Sequence, residues 1–265
     1  MTPHPSPSGA PASADSGHVT VELSEGIATV RFGHPKGNSL PSDVLRRLTA
    51  TISQLGADDR ARVILLRSEG TGAFCAGASF AELQGIADAP TGKEFFMGFA
   101  RLILAMRRCP KFILARVHGR TVGGGVGLVA ASEYAFALGD ASVRLSELAV
   151  GIGPFVVGPV IERKIGLGAL QALAVDAATW RDAAWAERHG LYAQVLDSAN
   201  ELDAVLDRLA ATLARSNPEA MAQMKSAFWH GTEHWDTLLE ERATLSGTLV
   251  LSDFTRRAIA AFGNK

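Results

Sequence analysis

The chain has 265 residues, enough for one large domain or a domain with an appendage, and 47% hydrophobic against 20% charged residues is the balance of a globular protein with a sizeable core. A formal net charge of −1 leaves no overall electrostatic footprint for nucleic acid or an anionic membrane, so neither is expected as a partner. Two cysteines, Cys75 and Cys109, are too few for a disulfide framework, and no Cys/His cluster has zinc spacing; no metal site is expected, and a reducing cytoplasm fits best.

Residues 1–17 are rich in Pro, Ser, Ala and Gly, lack the basic start and apolar core of a signal peptide, and read as a disordered tail. From 19 to 32 apolar and polar residues alternate, broken at Glu25-Gly26, which predicts a β-hairpin. A loop over 34–40 leads into a helix near 41–55. Residues 62–67, with Val63, Ile64, Leu65 and Leu66 in a row, read as a buried strand, and 111–117 as another, with helical periodicity over 93–106 between them. Gly123, Gly124 and Gly125 then open a short apolar helix, followed by strands over 134–138 and 142–145. Strands separated by helices imply a parallel or mixed sheet. From Pro159 onward strand signals nearly vanish, and the rest reads as helices broken at Gly166-Leu167-Gly168, Gly190, Asn217-Pro218 and Gly231. The class is therefore α/β, with an all-helical end.

Three segments carry candidate chemistry. In the first, residues 72–80, small residues follow a strand and precede a helix, with Ala76, Gly77, Ala78 and Ser79 at its centre. Such residues let a ligand approach the main chain, and N–H groups at a helix start are free to donate. An ordinary tight loop is the alternative. The second, residues 118–127, repeats the arrangement with glycine at 123, 124, 125 and 127. Each glycine inside a helix costs about 1 kcal/mol relative to alanine, so the run calls for close approach of a ligand or a second helix. Residues 125–130 also fit a loose dinucleotide-binding pattern, but the next strand begins too soon, and Asp140 is too close to be that pattern's acid. In the third, Glu147 stands among apolar neighbours, where desolvation would lift its pKa toward a range suited to taking and returning a proton. Against this stands a helix-capping or salt-bridged Glu147, with Arg144 as the candidate partner.

In this order and spacing the three segments resemble the enoyl-CoA hydratase/isomerase (crotonase) family, from about Val19 to the C-terminus. Ala76-Gly77-Ala78-Ser79 is similar to the family's Ala-Gly-Ala-Asp loop, with serine in place of the usual acid, and Gly123-Gly124-Gly125 to its glycine triplet. The resemblance implies a spiral of ββα units over 18–200 and a helical C-terminal part over 201–265 that builds a homotrimer or hexamer. It further implies that the backbone N–H groups of Ala78 and Gly124 form an oxyanion hole for the thioester oxygen of an acyl-CoA, with Glu147 as the catalytic acid/base. The CoA-binding residues it implies are Lys36, Asn38, Ala76, Ser79 and Phe80, with Gly123 and Gly127 on the glycine-rich turn. Coenzyme A is then part of the substrate, and no separate cofactor or metal is expected.

Gly127 departs from the pattern. The family's hydratases commonly carry a second glutamate at that place, so the expected site holds one acid, which suits moving a double bond from 3-enoyl to 2-enoyl and leaves hydration open. Decarboxylation, thioester hydrolysis and a non-catalytic CoA-binding role are the alternatives. Trp229, His230, His234 and Trp235 read as core or subunit-interface packing. His118 reads as structural, with a polar contact near the proposed hole as the second possibility. Ser146 lacks the elbow sequence of a hydrolase nucleophile.

Overall fold

The computed structural model describes residues 17–263, so all but the last residue of the expected tail lies outside the described residues. The hairpin forms where the alternation breaks: β1 (His18–Ser24) and β2 (Ile27–Gly33) pair antiparallel. Glu25 and Gly26 between them both take positive φ, 49° and 82°, the conformation that matches a two-residue turn to the twist of its strands.

The chain continues through α1 (Ser42–Ala57), β3 (Val63–Ser68), α2 (Phe80–Gly85), α3 (Ala89–Arg108), β4 (Ile113–Val117), β5 (Thr121–Val122), α4 (Gly124–Ala131), β6 (Tyr134–Leu138) and β7 (Ser142–Arg144). A single 3-10 turn at Leu148–Val150 precedes α5 (Gly158–Val175), β8 (Arg181–Asp182), α6 (Ala183–Arg188) and β9 (Gln194–Leu196). The helices α7 (Ala199–Ala214), α8 (Pro218–Phe228), α9 (Trp235–Leu249) and α10 (Asp253–Gly263) complete it. The two strands after Pro159 correct the all-helical reading of that region. At two and three residues, β8 and β9 are too short to show a period, and only their neighbours define them.

The larger sheet runs β1-β2-β3-β4-β6-β9, parallel beyond the hairpin. Alternate side chains go to opposite faces. Ile64, Leu66, Ala115 and Val117 enter the main core, while Val63, Leu65, Leu114 and Phe136 meet Leu202, Leu206 and Ala210 of α7. Helix α7 thus covers the second face of the sheet, although a boundary at 201 would assign nearly all of it to the C-terminal part. Arg67 and Arg116 reach across to pair with Asp203 of the same helix.

The smaller sheet, β5-β7-β8, positions the site. It is prolonged by two isolated parallel bridges, Cys75 with Thr121 and Leu40 with Ala78. Helices α9 and α8 fasten to the core at different places, and α10 packs against α2 and the 3-10 turn. Helix α9 crosses α3 where Gly92 meets Gly247; a β-carbon on Gly92 would lie 2.7 Å from the Gly247 carbonyl oxygen. Lys225 of α8 is buried and pairs with Glu133 at 3.0 Å, while Trp229 Nε1 donates to the same carboxylate at 3.1 Å. Trp229 and Trp235 are buried edge to face, 5.8 Å apart, whereas His230 and His234 are exposed. No helix among the described residues is long and apolar enough to cross a membrane.

Candidate active site

Register alone brings the three segments together. Cys75 lies opposite Thr121, and Thr121 opposite Val143, all parallel. Three residues further along each strand come Ala78 (75 + 3), Gly124 (121 + 3) and Ser146 (143 + 3), so Glu147 emerges beside the glycine turn. The hydrogen bonds Cys75 N to Arg120 O (3.2 Å), Val122 N to Cys75 O (2.9 Å) and Gly123 N to Arg144 O (3.0 Å) lock this alignment. Among the described residues, neither the Ala78 N–H nor the Gly124 N–H donates to another backbone carbonyl. Gly124 opens α4, whose dipole adds positive potential at that end.

Each glycine of the turn has its own neighbour. A β-carbon on Gly124 would lie 2.2 Å from Phe99 Cε1, on Gly125 2.6 Å from Cys75 Cβ, and on Gly127 2.7 Å from Val157 Cγ1. Gly123 has φ 52° and ψ −116°, and its absent β-carbon would sit 2.9 Å from Glu147 Oε1. The Glu147 carboxylate therefore rests against the residue that precedes one of the two free donors.

Glu147 proves neither capped nor paired. Its side chain makes no capping bond at the start of the 3-10 turn, Oε2 is shielded from water without a hydrogen bond, and Arg144 turns away to Trp180, 4.5 Å from the ring centre. Burial pushes the carboxyl from 4.5 up to about 7, with its own backbone N–H acting the other way.

Glu147, Ala78, Gly124, Ala76, Phe80 and Gly123 line one cavity. Its remaining walls are mostly apolar: Phe96 and Phe99 from α3, Leu83 from α2, and Val150, Ile152, Val156 and Val157 from the stretch after the glutamate. Glu147 is the sole charged residue among those lining it. Phe96 and Phe99, three residues apart on one helix, have the same spacing as ordinary core residues, and the sequence gives no further signal for them.

The other expected residues lie elsewhere. Gly127 is buried and does not line the cavity; Val157 stands against it and does. Ser79 caps α2 by accepting from Glu82 N at 3.4 Å. Asn38, at φ 56°, spends its side chain inside the loop. Its Oδ1 accepts from His34 N, and its Nδ2 donates to the carbonyls of Glu69 and Ala73 at 2.8 and 2.9 Å. Lys36 is exposed at the tip of that loop, which is tied to the Ala78 segment by Ala76 N to Gly37 O and Leu40 N to Gly77 O. His118 is buried edge-on to Phe74, with both ring nitrogens unpartnered, and lies outside the cavity lining.

This architecture is the crotonase fold. It superposes on an enoyl-CoA hydratase from Mycobacterium avium with a TM-score of 0.82 at 25% identity, over 93% of this chain and 96% of that one. With an enoyl-CoA hydratase from Bacillus halodurans the TM-score is 0.84 at 19% identity, over 92% and 99%, a likeness of fold alone.

The enoyl-CoA hydratase/isomerase family model matches residues 22–262, and the chain belongs to that family. Human mitochondrial methylglutaconyl-CoA hydratase is 30% identical over 218 residues, covering 80% of this chain; the match spans 63% of the human protein's length. A Mycobacterium tuberculosis protein named (7aS)-7a-methyl-1,5-dioxo-2,3,5,6,7,7a-hexahydro-1H-indene-carboxyl-CoA hydrolase is 30% identical over 76% of this chain and 80% of that one. Relatives at equal distance are thus named for two different reactions.

Proposed function

We propose that the protein moves a proton on an enoyl-CoA thioester, with Glu147 as the single acid/base and the N–H groups of Ala78 and Gly124 holding the enolate oxygen. The observation that carries this reading is the buried, unpaired carboxylate resting on Gly123 beside a free N–H of the glycine turn. Ionised Glu147 takes a proton from C2 of a 3-enoyl thioester, and the negative charge passes to the thioester oxygen. Two donors already in place stabilise that charge; one such donor is typically worth about 3 to 4 kcal/mol. Glu147 then returns the proton at C4 while the C3–C4 double bond moves to C2–C3. Nothing is consumed, and the carboxylate is regenerated. The acyl chain lies among Phe96, Phe99 and Val157, and the pantetheine runs along the loops at 36–40 and 76–80. Coenzyme A is part of the substrate in this reading, and no separate cofactor takes part. The assembly that fits the family is a homotrimer or hexamer.

Hydration of a 2-enoyl-CoA is the second reading, favoured by the names of the relatives. Glu147 would then both orient the water and supply the proton, because Gly127 has no side chain and Val157 fills the space beside it. The test is turnover of a 3-enoyl-CoA and a 2-enoyl-CoA by wild type and Glu147→Gln. Isomerisation predicts activity on the first that the substitution abolishes. Activity on the second alone, also lost in the variant, selects hydration. Full activity of Glu147→Gln on every substrate turned over removes Glu147 from the reaction.

A further inference from the structure

The smaller sheet carries a group of side chains that the proton transfer does not use. β7 runs antiparallel to β8 with Val143 opposite Arg181, so one residue further on Arg144 faces Trp180. In the neighbouring strand Arg144 pairs with Val122, two residues after Arg120. Both guanidinium groups therefore end over one indole: Arg144 Cζ lies 4.5 Å and Arg120 Cζ 5.2 Å from the centre of the Trp180 ring.

One cation on an aromatic face is a common contact. Two on the same ring bring like charges together, and among the described residues no carboxylate pairs with either. Arg144 Nε is shielded from water and has no acceptor, a condition that native structures seldom tolerate. Burial and then the charge of Arg120 both lower the pKa of Arg144, so no acid offsets the repulsion.

We infer that Arg120, Arg144 and Trp180 form a binding site for an oxyanion, either a phosphate or a carboxylate group, distinct from the acyl cavity. None of the three lines that cavity. Two guanidinium forks supply donors in the planar arrangement that oxyanions accept, and the indole holds the forks in place before the ligand arrives. The ligand neutralises both charges and gives Arg144 Nε its missing acceptor. Its source is either a free anion or a carboxylate on a second copy of this chain. The site stands whether or not Glu147 is the proton carrier.

The experiment titrates inorganic phosphate against chloride at constant ionic strength. Thermal unfolding and sedimentation velocity are followed for wild type, Arg120→Gln, Arg144→Gln and the double variant. A free-anion site predicts that phosphate raises the wild-type midpoint and binds about tenfold or more weakly in each single variant, while Glu147→Gln keeps the wild-type response. A carboxylate from a second copy predicts instead that the variants sediment as smaller species and that phosphate dissociates the wild type in the same way. Arg120 is exposed, so Arg120→Gln gives a readable result even where Arg144→Gln fails to fold. The inference is overturned if phosphate changes neither the midpoint nor the assembly of the wild type, or if either response survives in the double variant.

Discussion

Gly123 and Glu147 touch: the hydrogen that stands where other residues carry a β-carbon is what leaves room for the Glu147 carboxylate, 2.9 Å from that position. The contact joins two requirements in one residue. Its φ of 52° turns the chain into α4 so that Gly124 presents its N–H, and its bare Cα receives the acid. The Gly124 N–H and the Glu147 carboxylate are therefore placed by one residue.

Gly123→Ala tests that coupling. The new methyl group meets Oε1 at less than van der Waals distance and the backbone adopts a conformation that side chains disfavour, a cost of about 1–3 kcal/mol. The carboxylate is displaced, and a misplacement of about 1 Å can lower turnover about 100-fold. Steady-state kinetics on whichever enoyl-CoA the wild type accepts, read beside the melting temperature, checks both. Wild-type kcat/KM in a folded variant would show that Gly123 does not place Glu147.

The pH behaviour of Glu147 follows from its burial. Its carboxyl titrates near 7 in the folded chain and near 4.5 when solvated, so kcat/KM should rise with pH to a plateau above about 7. Glu147→Gln should lose that step along with about 10²–10⁴ of the rate. Stability moves the opposite way. The folded state holds its proton more tightly than the unfolded state, so the proton-linked stability is fully present below 4.5 and is lost as pH rises through 7. Glutamine carries no such dependence, and urea unfolding should find Glu147→Gln gaining on wild type between pH 5 and pH 8. An advantage equal at both values would mean that the pKa is not raised.

Much of this was legible because it is local. The hairpin break at Glu25-Gly26, the two small-residue turns and the solitary Glu147 each declare themselves within a few residues, and parallel register does the rest, three steps along from Cys75, Thr121 and Val143. What the sequence hid depends on distant neighbours. Phe99 is an ordinary apolar helix residue until it lies against Gly124. Arg144 was a candidate partner for Glu147 until β8 brought Trp180 across from it. Ser79 stands where the family carries an acid, and that its hydroxyl caps α2 shows only once that helix is placed.

The buried pair of Glu133 and Lys225 ties α8 to the sheet and offers a stability test away from the site. Glu133 Oε2 accepts from Lys225 Nζ at 3.0 Å and from Ile113 N at 2.8 Å. Lys225→Met leaves the carboxylate in a dry environment with the Ile113 and Trp229 donors but without its cation, at up to about 3–5 kcal/mol by comparison with other broken buried pairs. Adding Glu133→Gln removes the stranded charge, so urea unfolding should find the double variant more stable than Lys225→Met alone. If the second change instead adds its own full cost, the two groups are not coupled.

Gly127 and Val157 decide whether the cavity has room for a second functional group. The bland possibility is that position 127 opens on empty space, in which case Gly127→Ala would be harmless or slightly stabilising, since alanine favours a helix by about 1 kcal/mol over glycine. The structure predicts the reverse. The added β-carbon would lie 2.7 Å from Val157 Cγ1 and 3.0 Å from Val157 Cβ, and a branched side chain fixed at χ1 has no rotamer that relieves both contacts. Overpacking of this kind costs about 1–3 kcal/mol. Val157 also lines the cavity, so being pushed inward it should raise KM for longer acyl chains more than for short ones. Val157→Ala, added to Gly127→Ala, removes the Cγ1 contact and leaves only the Cβ approach of 3.0 Å, so the pair should recover most of the stability and of the chain-length profile. Recovery of stability without the profile would place Val157 in the packing of α4 and remove it from the acyl wall.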